Sequence, residues 1–163
     1  MTTSKTKKDM RLLASVFSVS MLALLLLGSC KKTEDTTDYT QIDKKIIQDY
    51  IKKNSLKADS TASGLYYVIE KLGTGKHPNK YSDVRVKYKG YFTNDDVFEN
   101  PSTAASFNLS QVIAGWTEGI QLFKEGGSGT LLIPSALAYG SRATGSVPAN
   151  SVLIFDIILY EVK

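Results

Sequence analysis

The sequence predicts an α+β fold: an antiparallel β-sheet with one short α-helix lying across it, preceded by a separate N-terminal helix. Three observations predict it. Val84, Val86, Tyr88 and Phe92 alternate with Arg85, Lys87, Lys89 and Tyr91, the period of two expected of a half-buried strand. Val112, Ile113, Trp116, Ile120 and Phe123 fall on one face of a helix, with Ser110 placed to cap it. Short apolar runs at Leu65–Ile69, Thr130–Ile133 and Ser151–Tyr160 are separated by glycine-rich or polar turns, and the last is apolar enough to be central.

Taken in order, the chain begins with a basic stretch, an apolar run of 16 residues from Leu12 to Leu27, and the small residues Gly28 and Ser29. That is the layout of a secretory signal, and the run is shorter than the roughly 20 residues of a spanning helix. Residues 1–29 hold Lys5, Lys7, Lys8, Arg11 and Asp9, so most of the net charge of +4 belongs to the signal. The nearly neutral remainder gives no reason to expect nucleic acid as a partner. The single cysteine, Cys30, follows at once, and Leu27-Gly28-Ser29-Cys30 resembles the lipobox of bacterial lipoproteins, which implies lipidation of Cys30. Acyl chains hold a protein to a bilayer by about 0.8 kcal/mol per buried CH₂. The reading is therefore a signal peptide over 1–29 and a polar tether over 30–38. The expected location is the cell envelope, with outer-membrane anchoring.

Residues 39–64 are read as an N-terminal helix and a linker. Ile42, Ile46, Ile47, Tyr50 and Ile51 share a face, Thr40 with Asp43 marks a start, and Asn54 a stop. The helix can dock on the domain, pair with a second copy, or act as a spacer. Residues 55–64 show no periodicity. The domain proper occupies 65–163. Asn94–Asp96 supplies a turn within it, and Pro134–Asn150 forms a loop of 17 residues, long enough to suggest a functional role.

Groups for covalent chemistry are scarce. The one histidine, His77, sits in a turn-like setting, and no cysteine lies within the domain. A metal site or a Cys–His or Ser–His nucleophile is therefore poorly supported, and no cofactor is expected. Gly73-Thr-Gly75-Lys76 lacks the spacing of a phosphate loop. What the domain does carry is an aromatic set: Tyr88, Phe98, Phe107, Trp116, Tyr139 and Phe155.

All of these aromatics but Phe107 lie in one of six motifs, of which Val147-Pro148 alone holds no aromatic: Val86-Lys-Tyr88-Lys-Gly90, Val97-Phe98-Glu99, Gln111-Val-Ile-Ala-Gly-Trp116-Thr-Glu-Gly119, Leu137-Ala-Tyr139-Gly140, Val147-Pro148 and Leu153-Ile-Phe155-Asp156. Their order and spacing resemble an FKBP-type peptidyl-prolyl cis–trans isomerase, and the signal, tether and leading helix resemble the layout of membrane-anchored bacterial members. The resemblance implies a sheet wrapped around the short helix, with a proline pocket between them. Trp116 would be its floor, and Tyr88, Phe98, Val112, Ile113 and Phe155 its walls. Phe107 would match a second, more structural phenylalanine. Ile113 would offer its backbone N–H and Tyr139 its hydroxyl to the substrate carbonyl, and Val147 would close the rim. Glu99 stands where the family has an aspartate that anchors a tyrosine and faces the substrate, so the resemblance implies a site role for it. Ala105 stands where the family has the first aromatic of Phe-x-Phe. Proline-containing polypeptides are the implied substrates, FKBP-binding macrolides a second ligand class, and a homodimer through the N-terminal helix a further partner. The alternative is a binding module or chaperone of the same fold with weak isomerase activity.

Overall fold

The computed structural model describes residues 38–163. The expected signal peptide, Cys30 and the tether up to Thr37 lie outside the described residues.

Helix α1 spans Tyr39–Lys53. Its N-cap is Asp38, whose carboxylate accepts the Thr40 N–H at 3.0 Å, so the expected Thr40–Asp43 capping pair is replaced by a residue two positions earlier. Asn54 ends the helix as expected, bonding the Tyr50 carbonyl through both its backbone N–H and its amide, each at 3.0 Å. The buried face is Asp43, Ile47 and Tyr50. Ile47 and Tyr50 pack with Tyr91, Leu132, Val152 and Ile154, so the helix docks on the domain, while Ile42 and Ile46 of the same expected stripe stay exposed.

Among the described residues seven strands form one antiparallel sheet: β1 (Asp59–Ser60), β2 (Tyr66–Lys71), β3 (Asp83–Tyr91), β4 (Val97–Glu99), β5 (Ala105–Asn108), β6 (Ser128–Ile133) and β7 (Leu153–Val162). Their order is β1-β2-β6-β7-β3-β4, with β5 paired to the first half of β3. β7 is central, between β6 and β3, as its apolar sequence predicts. Strand β1 is a correction. The stretch read as a patternless linker pairs Asp59 with Tyr67 and Ser60 with Tyr66, a ladder too short to leave a period in the sequence.

Because successive strand residues point to opposite faces, the sheet carries two cores. Val84, Val86, Tyr88, Leu131, Ile133, Phe155, Ile157 and Leu159 face the short helix. Tyr91, Leu132 and Ile154 face α1 on the other side. Tyr91 therefore departs from the polar role its alternation suggests. It is only 8% exposed because α1 covers it.

The short helix α2 spans Ala114–Gly119 and runs on into a 3₁₀ turn at Ile120–Leu122. It is shorter than the apolar stripe implies, and Ser110 is not its cap. Ser110 belongs to a preceding 3₁₀ turn, Leu109–Gln111, where Asn108 accepts both its N–H and its hydroxyl. Val112 is then extended, which breaks the helical run before Ile113 opens α2. Glycines let α2 sit directly on β6. A Cβ at Gly119 would lie 2.6 Å from Leu131 Cδ1, and one at Gly115 would overlap the Ile133 side chain. We expect Gly115→Ala to destabilise the domain by about 1–3 kcal/mol, the usual cost of overpacking, read by chemical denaturation. An unchanged midpoint would contradict this packing.

Candidate active site

Strand β3, β5, the 3₁₀ turn, α2, the long loop and β7 converge on a cavity of about 430 Å³. Trp116 forms its floor. The indole is 4% exposed, held between helix and sheet by rings that meet it edge-on. Tyr88 stands 4.9 Å from it at 89°, Phe107 5.2 Å at 80°, and Phe155 5.3 Å at 81°. Such pairs contribute about 0.5–1.5 kcal/mol each beyond burial, so the rings are fixed by one another. The buried indole Nε1 has no hydrogen-bond partner among the described residues. Val112 and Ile113 close one side, and Tyr139, 39% exposed, stands at the mouth on the long loop.

Eight of the ten expected pocket residues line this cavity: Tyr88, Glu99, Phe107, Val112, Ile113, Trp116, Tyr139 and Phe155. Phe98 and Val147 do not. Phe98 stands edge-on behind Phe155 at 5.6 Å and tilts against Phe92 at 5.0 Å, seated over Gly90, where a Cβ would come within 2.6 Å of its ring. Val147 is buried in the main core, bridged to Thr144 within the loop. Gln111 lines the cavity as well and was missed, because an exposed amide in a turn carries no chemical signal; only its register beside Val112 points to the mouth.

Of the polar groups on the lining, Tyr88, Glu99, Gln111 and Tyr139, the first two are paired. The Tyr88 hydroxyl donates to Glu99 Oε1, so the longer side chain in place of aspartate still reaches its tyrosine. Burial first, then this bond and the charge of Glu99, hold the Tyr88 hydroxyl well above the usual tyrosine range. It therefore remains a neutral donor at any physiological pH. Glu99 is exposed and forms no ion pair among the described residues. His77 is exposed in its turn, and no group of three or more histidine, cysteine or acidic side chains is placed to hold a metal among the described residues. The arrangement can desolvate a small apolar group, hold it against an indole and offer a few neutral donors around it.

A fold of this topology around such an aromatic cavity defines a class, and the comparison with known families agrees. The model of the FKBP-type peptidyl-prolyl cis-trans isomerase family matches residues 74–160, and the chain belongs to this family. It is 39% identical over 140 residues to the FKBP-type peptidyl-prolyl cis-trans isomerase FkpA of Aeromonas hydrophila, an alignment covering 84% of this chain and 52% of that protein. The chain thus spans about half the length of the curated relatives it matches. Among solved structures, FkpA from Escherichia coli superposes with a TM-score of 0.68 at 30% identity, covering 99% of this chain and 74% of that one. A peptidyl-prolyl cis-trans isomerase from Pseudomonas syringae gives 0.66 at 28% identity over 76% of this chain and 96% of that one.

The raised Tyr88 hydroxyl has a consequence for stability at high pH. The folded state keeps the proton that an unfolded tyrosine loses near pH 10. Its contribution is therefore complete below about pH 10 and is lost as pH rises through the folded value. We expect unfolding free energy to fall between pH 10 and 11.5, and to fall less steeply in Tyr88→Phe. Identical pH dependence in parent and variant would contradict the assignment.

Proposed function

We propose that the protein is a peptidyl-prolyl cis–trans isomerase that accelerates X-Pro isomerisation in exported polypeptides. The observation that carries this reading is the Trp116-floored aromatic cavity with the Tyr88–Glu99 pair and the Tyr139 hydroxyl at its mouth.

Rotation about an X-Pro bond breaks no covalent bond, but amide resonance sets a barrier of about 18–20 kcal/mol. Uncatalysed exchange takes about 10–100 s. The planar amide is more polar than the twisted one, so a water-poor aromatic cavity disfavours the ground state relative to the transition state. In this account the prolyl ring lies on Trp116 between Tyr88, Phe107 and Phe155, with Val112 and Ile113 alongside. Phe98 supports Phe155 from behind, and Val147 holds the loop to the core. The Ile113 N–H and the Tyr139 hydroxyl hold carbonyl oxygens next to the rotating bond. Glu99 orients the Tyr88 ring and leaves it neutral. The Tyr88–Glu99 hydrogen bond supports the isomerase reading over a purely binding module, because the longer acidic side chain makes the tyrosine contact that the family resemblance implies. FKBP-binding macrolides are ligands of the same cavity in this reading.

In this reading the protein acts in the cell envelope, anchored at the outer membrane, which the signal-like stretch over 1–29, the lipobox-like setting of Cys30 and the polar tether support. A second reading, a homodimer through α1, is favoured by the exposed Ile42 and Ile46. Mass measurement in solution tests it, a monomeric mass counting against it.

Isomerisation of a short X-Pro peptide tests the main reading. We expect the parent to accelerate exchange and Trp116→Leu to lower kcat/KM by tenfold or more. Tyr139→Phe should lower it about five- to tenfold, as loss of one neutral hydrogen bond implies. A folded parent no faster than buffer would leave the binding-module reading in its place.

A further inference from the structure

Asp43 is a carboxylate without an obvious reason to be where it is. It lies in α1, 1% exposed, and makes no ion pair among the described residues. Oδ2 accepts the backbone N–H of Ser135 at 2.8 Å and the Ser135 hydroxyl at 2.6 Å, while Oδ1 has no partner. Ser135, 2% exposed, is the first residue of the 3₁₀ turn Ser135–Leu137 at the root of the long loop. Its carbonyl accepts the N–H groups of Ala138 at 2.9 Å and Gly140 at 2.8 Å, and the Gly140 carbonyl accepts the Asn150 N–H at 2.8 Å. Tyr139 sits between the two amides that Ser135 holds. One chain of hydrogen bonds therefore runs from α1 through Ser135 to both neighbours of the mouth tyrosine and on to the far end of the loop.

The surroundings show why these bonds matter. A cleft of about 290 Å³ opens beside them, with Thr40, Gln41, Asp43 and Lys44 on the α1 side and Pro134 and Ala136 on the loop side. The Asp43 carboxylate therefore bridges helix and loop root at the edge of an open cleft. A buried, half-satisfied carboxylate is a costly way to dock a helix, and an apolar residue would serve docking better. What it supplies is direction: a fixed acceptor for the first N–H of a turn.

We propose that Asp43 is a positioning residue for the isomerase site. It clamps Ser135 and thereby sets where Tyr139 presents its hydroxyl, so the N-terminal helix is part of the catalytic apparatus rather than an appendage to it. The proposal rests on the isomerase reading above for its kinetic consequence, but the clamp itself is observable without activity.

The test uses the full chain with Asp43→Ala, Asp43→Asn, Ser135→Ala, Tyr139→Phe and the double variants of Asp43→Ala and Ser135→Ala with Tyr139→Phe. Isomerisation kinetics are measured where thermal unfolding shows each protein folded, alongside amide hydrogen exchange at Ala138 and Gly140. Asp43→Ala should lower kcat about five- to tenfold with a smaller change in KM, because misplacing one group costs rate more than binding. Asp43→Asn keeps an acceptor and should stay within about twofold of the parent. Asp43→Ala should slow the Tyr139→Phe background by no more than about twofold, since both changes remove one effect. Exchange at Ala138 and Gly140 should quicken about tenfold in Asp43→Ala, with the β7 amides unchanged. Losses that multiply, or exchange that stays unchanged at both amides, would overturn the proposal. If Asp43→Ala does not fold, the Ser135→Ala cycle decides by the same criteria. If the parent is inactive, the isomerase reading fails and the exchange result alone decides whether the clamp exists.

Discussion

The approach of α2 to β6 is the constraint on which the rest depends. Gly115 and Gly119 present no side chain to Ile133 and Leu131, so the helix lies against the sheet at a distance any other residue would forbid. That closeness puts the Trp116 ring at the level of the sheet's aromatic side chains instead of above them. Tyr88, Phe107 and Phe155 then meet it edge-on and immobilise one another. A helix raised by one methyl group would open the floor and let water under any bound group. The position of the aromatic floor thus depends on how closely the backbone of α2 packs on the sheet.

The two faces of the sheet divide the work. One face builds the cavity, and the other binds α1 through Tyr91, Leu132 and Ile154. Polar contacts tie this second face together: the Tyr91 hydroxyl donates to Asp156 Oδ1 at 3.0 Å, and Thr130 donates to the same oxygen at 2.9 Å. Asp156 adjoins Phe155, so the order of the back layer bears directly on a cavity wall. Burial, with the nearby Asp156 charge, raises the Tyr91 hydroxyl well above the usual range and keeps it a donor.

Much of this was legible in the sequence because period-two alternation survives wherever a strand has one buried face. The central place of β7 and the fold class follow from such patterns, and eight of the cavity residues follow from the family resemblance that the motifs carry. The misreadings share a physical cause, which is that local patterns are blind to distant partners. Asp43 looks like a capping residue from its spacing to Thr40, yet its partner is Ser135. Tyr91 falls on the polar side of its strand and is buried only because α1 returns over it. The stripe from Val112 to Phe123 reads as one helix, since an extended residue at Val112 leaves its apolar spacing untouched. Gln111 reaches the mouth by register alone.

The proposed chemistry needs no proton transfer and no nucleophile. In the proposed account an apolar floor and a few neutral donors act on a rotation, and Glu99, the single charged lining group among the described residues, accepts the Tyr88 hydroxyl. The most direct test is the exchange rate between cis and trans forms of an X-Pro peptide, followed by NMR with sub-stoichiometric protein in H₂O and in D₂O from pH 6 to 9. The account predicts accelerated exchange, independent of pH across that range and equal in the two solvents. No acceleration, or a rate that titrates and slows in D₂O, would contradict it.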